Sequence, residues 1–182
     1  MAADSRRQWD AVIRICHWLT LALIMAAWWA VETHGEYPKG SAERALWMDR
    51  HMTFGLAIWF LTAFRLGWRW VHAAPEVAMP EWQRRFASAV QAGLYVVLLA
   101  MPVFGIAARQ FAQRDVTFAG LFSLPQWVSS PNPAWAEWFA EIHEEVFWPT
   151  LLVLAGVHAA GALWHQFGMK DNLIGRMFWS RR

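Results

Sequence analysis

The sequence predicts an all-α integral membrane protein, a four-helix up-down-up-down bundle, from three observations. Of its 182 residues, 57% are hydrophobic and 16% are charged, a composition too apolar for an ordinary soluble surface. The apolar residues form four runs long enough to cross a bilayer, roughly over residues 9–31, 46–71, 86–108 and 143–167. A backbone that crosses lipid can satisfy its hydrogen-bonding groups only in helices or in closed barrels. These runs are too long for barrel strands. We therefore expect a single transmembrane domain over residues 1–182.

The first span, residues 9–31, has Arg14 and His17 one turn apart near its start. It lacks a small-residue cleavage site of the usual kind, so we expect it to remain in the membrane as a signal anchor. Glycine and proline residues within positions 32–44 predict a loop after it.

The second span, residues 46–71, has His51 near its start and Arg65 and Arg69 near its end. The span therefore carries a possible metal ligand at one end and two cations at the other. Prolines within positions 73–80 predict the next turn.

The third span, residues 86–108, contains no histidine. Its Pro102 and Gly105 predict a kink or a close backbone approach. The connection that follows, positions 109–133, is the longest in the chain and has three prolines. Loops of this length are often functional.

The fourth span, residues 143–167, begins at His143, has His158 near its inner end and carries no charge between Glu145 and His165. An imidazole inside a membrane is costly to leave unpaired. The first two histidines are 15 residues apart, which is about 22 Å along a helix in a roughly 30 Å hydrocarbon core. One helix would thus offer a nitrogen ligand near each membrane surface.

Lysine and arginine are distributed unevenly between the two predicted sides. The side with both termini has eleven of the 16: Arg6, Arg7, Arg14, Arg65, Arg69, Arg84, Arg85, Lys170, Arg176, Arg181 and Arg182. The other side has Lys39, Arg44, Arg50, Arg109 and Arg114. By the positive-inside rule, both termini are predicted to be cytoplasmic.

The predicted depth of each histidine in the membrane groups the four into two pairs. His17 and His158 lie near the cytoplasm, and His51 and His143 lie near the outer face. Two bis-imidazole sites stacked across a bundle are what two b-type haems require, with axial ligands from facing helices. Because two imidazoles leave iron no open position for oxygen, this arrangement favours electron transfer. The sequence therefore predicts two haem b groups and transmembrane electron transfer.

Small and cationic residues lie near these histidines. A flat macrocycle needs small neighbours, and Gly55 lies one turn after His51. The propionates need cations. The candidates for the inner haem are Arg14, Arg65 and Arg69, and those for the outer haem are Arg50, Arg109 and Arg114. The alternative is that these arginines only determine topology.

Several features of the sequence bear on functions other than haem binding. Zinc usually recruits carboxylate or thiolate beside histidine, and the spans have almost no acid. Cys16 is the only cysteine, which excludes an intrachain disulfide, a Cys-based cage and the two-cysteine attachment of a c-type haem. No basic tract indicates nucleic acid. A haem-free transporter of a small solute or metal is a further alternative, and it predicts a colourless protein.

Five groups of residues, in chain order, match a known pattern. They are Arg14, Ile15, Cys16, His17 and Trp18; His51 with Gly55, Arg65 and Arg69; Leu94 and Tyr95 with Met101, Pro102 and Gly105; His143 and Glu144; and Val157, His158, Ala159 and Ala160 with His165, Lys170, Asp171 and Asn172. With them the chain resembles the bacterial cytochrome b561 family, which takes in the cytochrome b subunits of nickel hydrogenases. The matches cover nearly the whole chain.

The resemblance implies four transmembrane helices in the bacterial inner membrane, two b haems ligated as paired above, and electron exchange with the quinone pool. Some members are thought to oxidise superoxide at the outer haem and pass electrons to ubiquinone. The implied partners are thus membrane lipid, a quinone, and superoxide or another periplasmic electron donor, and the chain would be an oxidoreductase. The alternative is a haem-bearing membrane-anchor subunit that relays electrons for a separate dehydrogenase or periplasmic cytochrome. His165 either serves quinone or proton traffic or is an interfacial polar residue.

Two features depart from the family pattern. Gln91 stands where relatives often carry a histidine. The spacing from His143 to His158 is one residue longer than the pattern predicts, so an α-helix would place the two side chains about 60° apart instead of about 40° apart in the other direction. We therefore expect a π-bulge or kink near Pro149 to absorb the extra residue.

Overall fold

The computed structural model describes residues 8–72, 75, 77 and 79–178, and this part of the chain is mostly helical. The helices are α1 (Ala11–Glu36), α2 (Ala42–Val71), α3 (Glu81–Phe111), α4 (Pro133–Glu141) and α5 (Trp148–Leu163). Two π-helices (Ile142–Phe147 and Trp164–Met169), a 3-10 turn (Gly175–Met177) and two short strands, β1 (Thr117–Phe118) and β2 (Phe122–Ser123), complete the elements. β1 and β2 pair antiparallel.

Helices α1 and α2 form a hairpin and pack along each other. The Asp10 side chain accepts a hydrogen bond from the Val12 backbone N–H at the start of α1, and Ser41 accepts one from Arg44 at the start of α2. Such caps satisfy amide donors that have no partner inside the helix. Between the helices, Gly40 has a φ of +87°, which a residue without a Cβ adopts at no steric cost.

Helices α4 and α5 and the two π-helices form one continuous helical stretch, Pro133–Met169. The Asn132 side chain caps its start by accepting a hydrogen bond from the Trp135 backbone N–H. The first π-helix ends at Phe147, two residues before Pro149. The expectation of a π-bulge between His143 and His158 is therefore confirmed. The second π-helix, at the end of the stretch, was not predicted.

Within the described ranges, three helical stretches are long and apolar enough to cross a membrane: Ala11–Glu36, Glu81–Phe111 and Pro133–Met169. Much of their apolar surface faces outward, as in helices that contact lipid. Helix α2 has 30 residues but carries Asp49, Arg50, Arg65 and Arg69. The structure thus gives a mainly helical membrane protein, and the four-helix bundle remains a prediction.

The connection after α3 is organised around Gln110, which is only 1% exposed. Its side-chain amide donates to the Pro125 carbonyl at 3.1 Å and accepts from the Trp127 backbone N–H at 3.0 Å. The Gln126 side chain donates to the Gln110 carbonyl at 2.6 Å. These bonds tie the connection to the end of α3. A further bond, from the Ala119 N–H to the Thr53 hydroxyl at 2.8 Å, ties it to α2.

Candidate functional site

The structure brings the four predicted ligand histidines together in two pairs. His17 on α1 faces His158 on α5, with ring centroids 6.1 Å apart and ring planes at 65°. His51 on α2 faces His143 in the first π-helix, with centroids 6.0 Å apart and planes at 81°. These are the two pairs that depth in the membrane predicts.

The separation of the rings suits a shared metal. Imidazole nitrogens bind first-row metals at about 2 Å, so two imidazoles on opposite sides of one ion have ring centroids about 6 Å apart. An edge-to-face contact between two rings gives a similar distance. The ring distance therefore fits both a shared metal and a ring contact, and the surroundings of each pair distinguish the two.

The helices that carry the members of a pair stand apart. Helix α1 packs against α2, and α5 packs against α3. In the described part of the chain, close backbone contact is nearly absent between α1 and α5, and between α2 and the first π-helix. The histidines therefore reach across a gap between helices, as ligands on the two faces of a macrocycle must.

Backbone carbonyls orient both rings of the outer pair. His51 donates its Nδ1–H to the Ala27 carbonyl at 2.9 Å, and His143 donates its Nδ1–H to the Met101 carbonyl at 2.8 Å. Because each Nδ1 carries the proton in these bonds, each Nε2 keeps a lone pair. This tautomer is the one that metal-binding histidines adopt.

A cavity of about 630 Å³ lies at the outer pair. Its lining includes His51, His143, Gly55 and Gly105. A Cβ added at Gly105 would lie 3.0 Å from Cε1 of His143, whereas one added at Gly55 would meet open space. Gly105 thus lets α3 approach the His143 ring, and Gly55 leaves room in the cavity. The close approach predicted at Gly105 is confirmed.

Charged side chains also line this cavity. Arg109 and Arg114 contribute cations, and Glu32, Glu144 and Glu145 contribute carboxylates. Arg109 donates through Nε and Nη2 to the Asp115 carbonyl, at 3.2 and 2.7 Å. Arg50, the third outer candidate, instead lies over the Trp47 ring, with its guanidinium carbon 4.2 Å from the ring centroid.

The arginines predicted for the inner haem have different surroundings. The buried Nε of Arg65 and the buried hydroxyl of Tyr95 have no hydrogen-bond partner among the described residues. The guanidinium of Arg65 lies 5.7 Å from the Tyr95 ring centroid. Arg69 donates to the Gln91 side chain at 3.4 Å, and Arg14 donates to the Phe178 carbonyl at 3.0 Å. The buried Nε of Arg65 therefore suits an acceptor such as a propionate.

The donor set fits haem better than a bare ion. Among the residues described, no group of three or more His, Cys, Asp or Glu side chains could hold a metal ion. Two imidazoles alone leave most positions of a six-coordinate ion unfilled, whereas haem brings four ring nitrogens of its own. The paired histidines, the gap between helices and the cavity at the outer pair thus fit a b-type haem.

Sequence reasoning missed three parts of these sites. The carbonyls of Ala27 and Met101 carry no sequence signal, because every residue has one. The rings of Trp18 and His17 are in contact, with centroids 5.1 Å apart. The only feature of the sequence that could have predicted this contact is that the two residues are neighbours in the chain. His165 was noted, but not its bond to Asp171, 2.6 Å from Nδ1 to Oδ2.

Known proteins of one family match most of this chain. The family model described as prokaryotic cytochrome b561 matches residues 8–180. Cytochrome b561 homolog 1 of Escherichia coli (strain K12) is 32% identical over 169 residues, covering 91% of this chain and 94% of that protein. The probable superoxide oxidase CybB of Yersinia pestis is 27% identical over 170 residues, covering 91% of this chain and 93% of that protein. Cytochrome b562 of Cereibacter sphaeroides is 30% identical over 127 residues, covering 70% and 65%.

Proposed function

The chain belongs to the prokaryotic cytochrome b561 family, and from this premise we propose that it exchanges electrons between two bis-histidine b-type haems and the quinone pool of the bacterial inner membrane. Family membership makes it a membrane b-type cytochrome and implies transmembrane electron transfer. The observation that carries the proposal is the presence of two facing histidine pairs, each spanning a gap between helices.

In this proposal, His17 and His158 would hold the inner haem, and His51 and His143 would hold the outer one through Nε2. A b-type haem with two imidazole ligands supplies a one-electron carrier without an open coordination position. The carbonyls of Ala27 and Met101 fix the outer rings in the ligating tautomer. Arg65, with its unused buried donor, pairs with a propionate of the inner haem. Arg14 and Arg69 add positive charge at the same end.

The fold in this proposal is a four-helix up-down-up-down bundle that forms a single domain. Its spans are α1, α2, α3 and the stretch Pro133–Met169. Helix α2 can serve as the second span because its charged residues lie near its ends and residues 52–64 are uncharged. The excess of lysine and arginine on the side of the termini supports a cytoplasmic location for both.

Superoxide oxidation with ubiquinone reduction is the specific activity that we consider first. Its support is the similarity to a protein named probable superoxide oxidase, together with Arg109 and Arg114 at the outer cavity. The carboxylates in the same lining oppose the approach of an anion. Whether superoxide can react at the outer site therefore depends on whether the arginines or the carboxylates dominate the electrostatic potential of the cavity.

The second candidate is a membrane-anchor subunit that relays electrons for a separate dehydrogenase or periplasmic cytochrome. It is favoured by the acidic residues at the outer cavity, Glu32, Glu144 and Glu145, which suit a cationic protein partner. An assay of ubiquinone reduction by the purified chain, without any partner protein, distinguishes these two functions. If the chain reduces ubiquinone with superoxide, the oxidase function holds, and if it does so only with a partner protein, the anchor function holds.

Haem content tests the proposal most directly. The chain would be purified in detergent after expression with haem available, and its visible spectrum recorded before and after dithionite. We expect two low-spin b haems per chain, and one in the His158→Ala variant. His72→Ala, which alters an exposed histidine stacked on Trp68, is the control and should keep two. A colourless folded protein, or unchanged haem content in His158→Ala, would overturn the assignment.

A further inference from the structure

A C-terminal strap, defined here as residues 170–178, leaves the end of the last helical stretch and returns to the start of α1. The chain turns at Lys170 and Asn172, which both have positive φ, at 57° and 58°. Between them, Asp171 accepts a hydrogen bond from Nδ1 of His165 at 2.6 Å and donates its N–H to the His165 carbonyl at 3.2 Å. The strap is thus fastened to the helical stretch that carries His158.

The far end of the strap is fastened to α1. Trp18 donates its indole N–H to the Met177 carbonyl at 3.0 Å, and its ring lies 4.7 Å from that of Phe178. Arg14, which is only 7% exposed, donates to the Phe178 carbonyl at 3.0 Å. Three interactions therefore join the strap to the first two turns of α1.

Trp18 also contacts the inner histidine pair. Its ring meets that of the neighbouring His17 edge to face, with centroids 5.1 Å apart and planes at 73°. His17 in turn faces His158 at 6.1 Å. In the described residues, the ring nitrogens of His17 and His158 have no hydrogen bond such as those that orient the outer pair. The Trp18 contact is the feature that can restrict the His17 ring.

The strap joins two helices that scarcely touch. Helices α1 and α5 carry the two members of the inner pair, but in the described part of the chain their backbones make almost no close contact. A group bound between His17 and His158 would need these helices held at a fixed spacing. The bonds of the strap to His165 on one side and to Arg14 and Trp18 on the other can provide that restraint.

We propose that Trp18 is a positioning residue for His17, and that the C-terminal strap, by holding Trp18, sets the orientation of the His17 ring. The proposal rests on the proposed function, in which His17 and His158 ligate a haem. It assigns roles to Trp18, Met177 and Phe178 that their chemistry alone would not indicate.

Two changes remove the restraint in different ways. Trp18→Ala deletes the ring that contacts His17, and a chain that ends at Asn172 deletes the residues that hold Trp18 while keeping the bond between His165 and Asp171. Trp59→Ala is the matched control for the first, because Trp59 is a half-buried tryptophan on α2 whose ring contacts Phe60. A chain that ends at Phe178 is the control for the second, because it keeps the contacts described above.

The readouts are the reduction potentials of the two haems, by redox titration, and the low-spin EPR signals of the oxidised protein, which depend on the orientation of the ligand rings. We expect one haem to change both its reduction potential and its EPR signal in both variants, because the orientation and fixation of an axial ligand tune the haem iron. The other haem and both controls should match the parent. Loss of one haem from Trp18→Ala, with two kept in Trp59→Ala, would support the same conclusion.

The results distinguish a failure of the role proposed for the strap from a failure of the proposed function. A parent chain with two haems, whose potentials and EPR signals are unchanged in Trp18→Ala and in the chain ending at Asn172, overturns the role of the strap and leaves the proposed function intact. A parent chain without haem overturns the function itself. If Trp18→Ala does not fold, Trp18→Phe keeps a ring beside His17 but cannot donate to Met177. An unchanged EPR signal there and in the truncated chain likewise overturns the proposal.

Discussion

His143 donates its Nδ1–H to the backbone carbonyl of Met101, 2.8 Å away, and so joins the first π-helix to the middle of α3. This bond fixes the tautomer and restrains the orientation of the ring, and it leaves Nε2 as the ring nitrogen with a lone pair. Helix α3 contains no histidine, and it positions the His143 ring through the Met101 carbonyl and through Gly105. That contribution can be tested separately from ligation.

Gly105→Ala should disturb the outer haem. The added Cβ would lie 3.0 to 3.1 Å from Cε1 and Nδ1 of His143, which is tighter than most packed contacts, so the ring must shift by a few tenths of an ångström and strain its bond with Met101. Disruption of the bond between His143 and the Met101 carbonyl is expected to lower haem affinity by up to about 10- to 100-fold. Haem per chain and the EPR signal of the outer haem are the measurements.

Gly93→Ala, on the same helix, is the control for this change. Its new Cβ would lie 3.1 Å from Cδ1 of Leu154, the end of a flexible side chain that can give way. Both haems should remain. Equal haem content and equal spectra in the two variants would show that Gly105 is not needed for the position of His143.

Deletion of Val146 should be tolerated, although a deletion within a transmembrane helix is normally damaging. Val146 lies in the π-helix Ile142–Phe147 and is exposed. Removing one residue lets this turn become α-helical and restores a spacing of 14 residues between His143 and His158. We expect two haems per chain and an unfolding temperature no lower than that of the parent.

Deletion of Val96, an exposed valine in the regular helix α3, provides the comparison. It turns Met101 and Gly105 by about 100° around the helix axis relative to the preceding residues. This deletion should remove the outer haem. Loss of haem from both deletion variants would show that the π-helix is needed for more than absorbing one residue.

Gln110→Ala should destabilise the connection that follows α3. The change leaves the Pro125 carbonyl and the Trp127 N–H without their side-chain partner. An unsatisfied buried group costs about 1 to 3 kcal/mol. We expect a lower unfolding temperature and faster proteolysis at Arg114. Gln83→Ala is the control, because the Gln83 side-chain oxygen has no hydrogen-bond partner among the described residues, and equal stability of the two variants would contradict the role of Gln110.

Any reaction of the protein with superoxide should accelerate as salt is added. In the proposed topology, the outer side has nine acidic residues against five basic ones. The acidic residues are Glu32, Glu36, Glu43, Asp49, Asp115, Glu137, Glu141, Glu144 and Glu145. A net negative surface repels an anion, and ionic strength screens that repulsion. The measurement is the rate of superoxide consumption against salt concentration, and a rate that falls with salt would show that Arg109 and Arg114 dominate at the outer cavity.

Much of the site followed from positions along the chain. Four apolar runs predicted long helices, and the depth of each histidine within its run predicted the pairs that face each other. One surplus residue between His143 and His158 predicted the π-helix, because helical geometry converts a count of residues into an angle. The helices and the histidine pairs need only local periodicity and the thickness of a bilayer, whereas the surplus residue is counted against the cytochrome b561 family pattern.

The tertiary structure decided everything that depends on residues distant in sequence. It placed the Ala27 and Met101 carbonyls against His51 and His143, buried Gln110 within the long connection, and joined the C-terminal strap to Trp18. Backbone carbonyls and small residues have no distinctive pattern along a chain, so their partners are fixed only when helices pack. The sequence by itself thus determined which residues can serve as ligands, and packing determined what orients them.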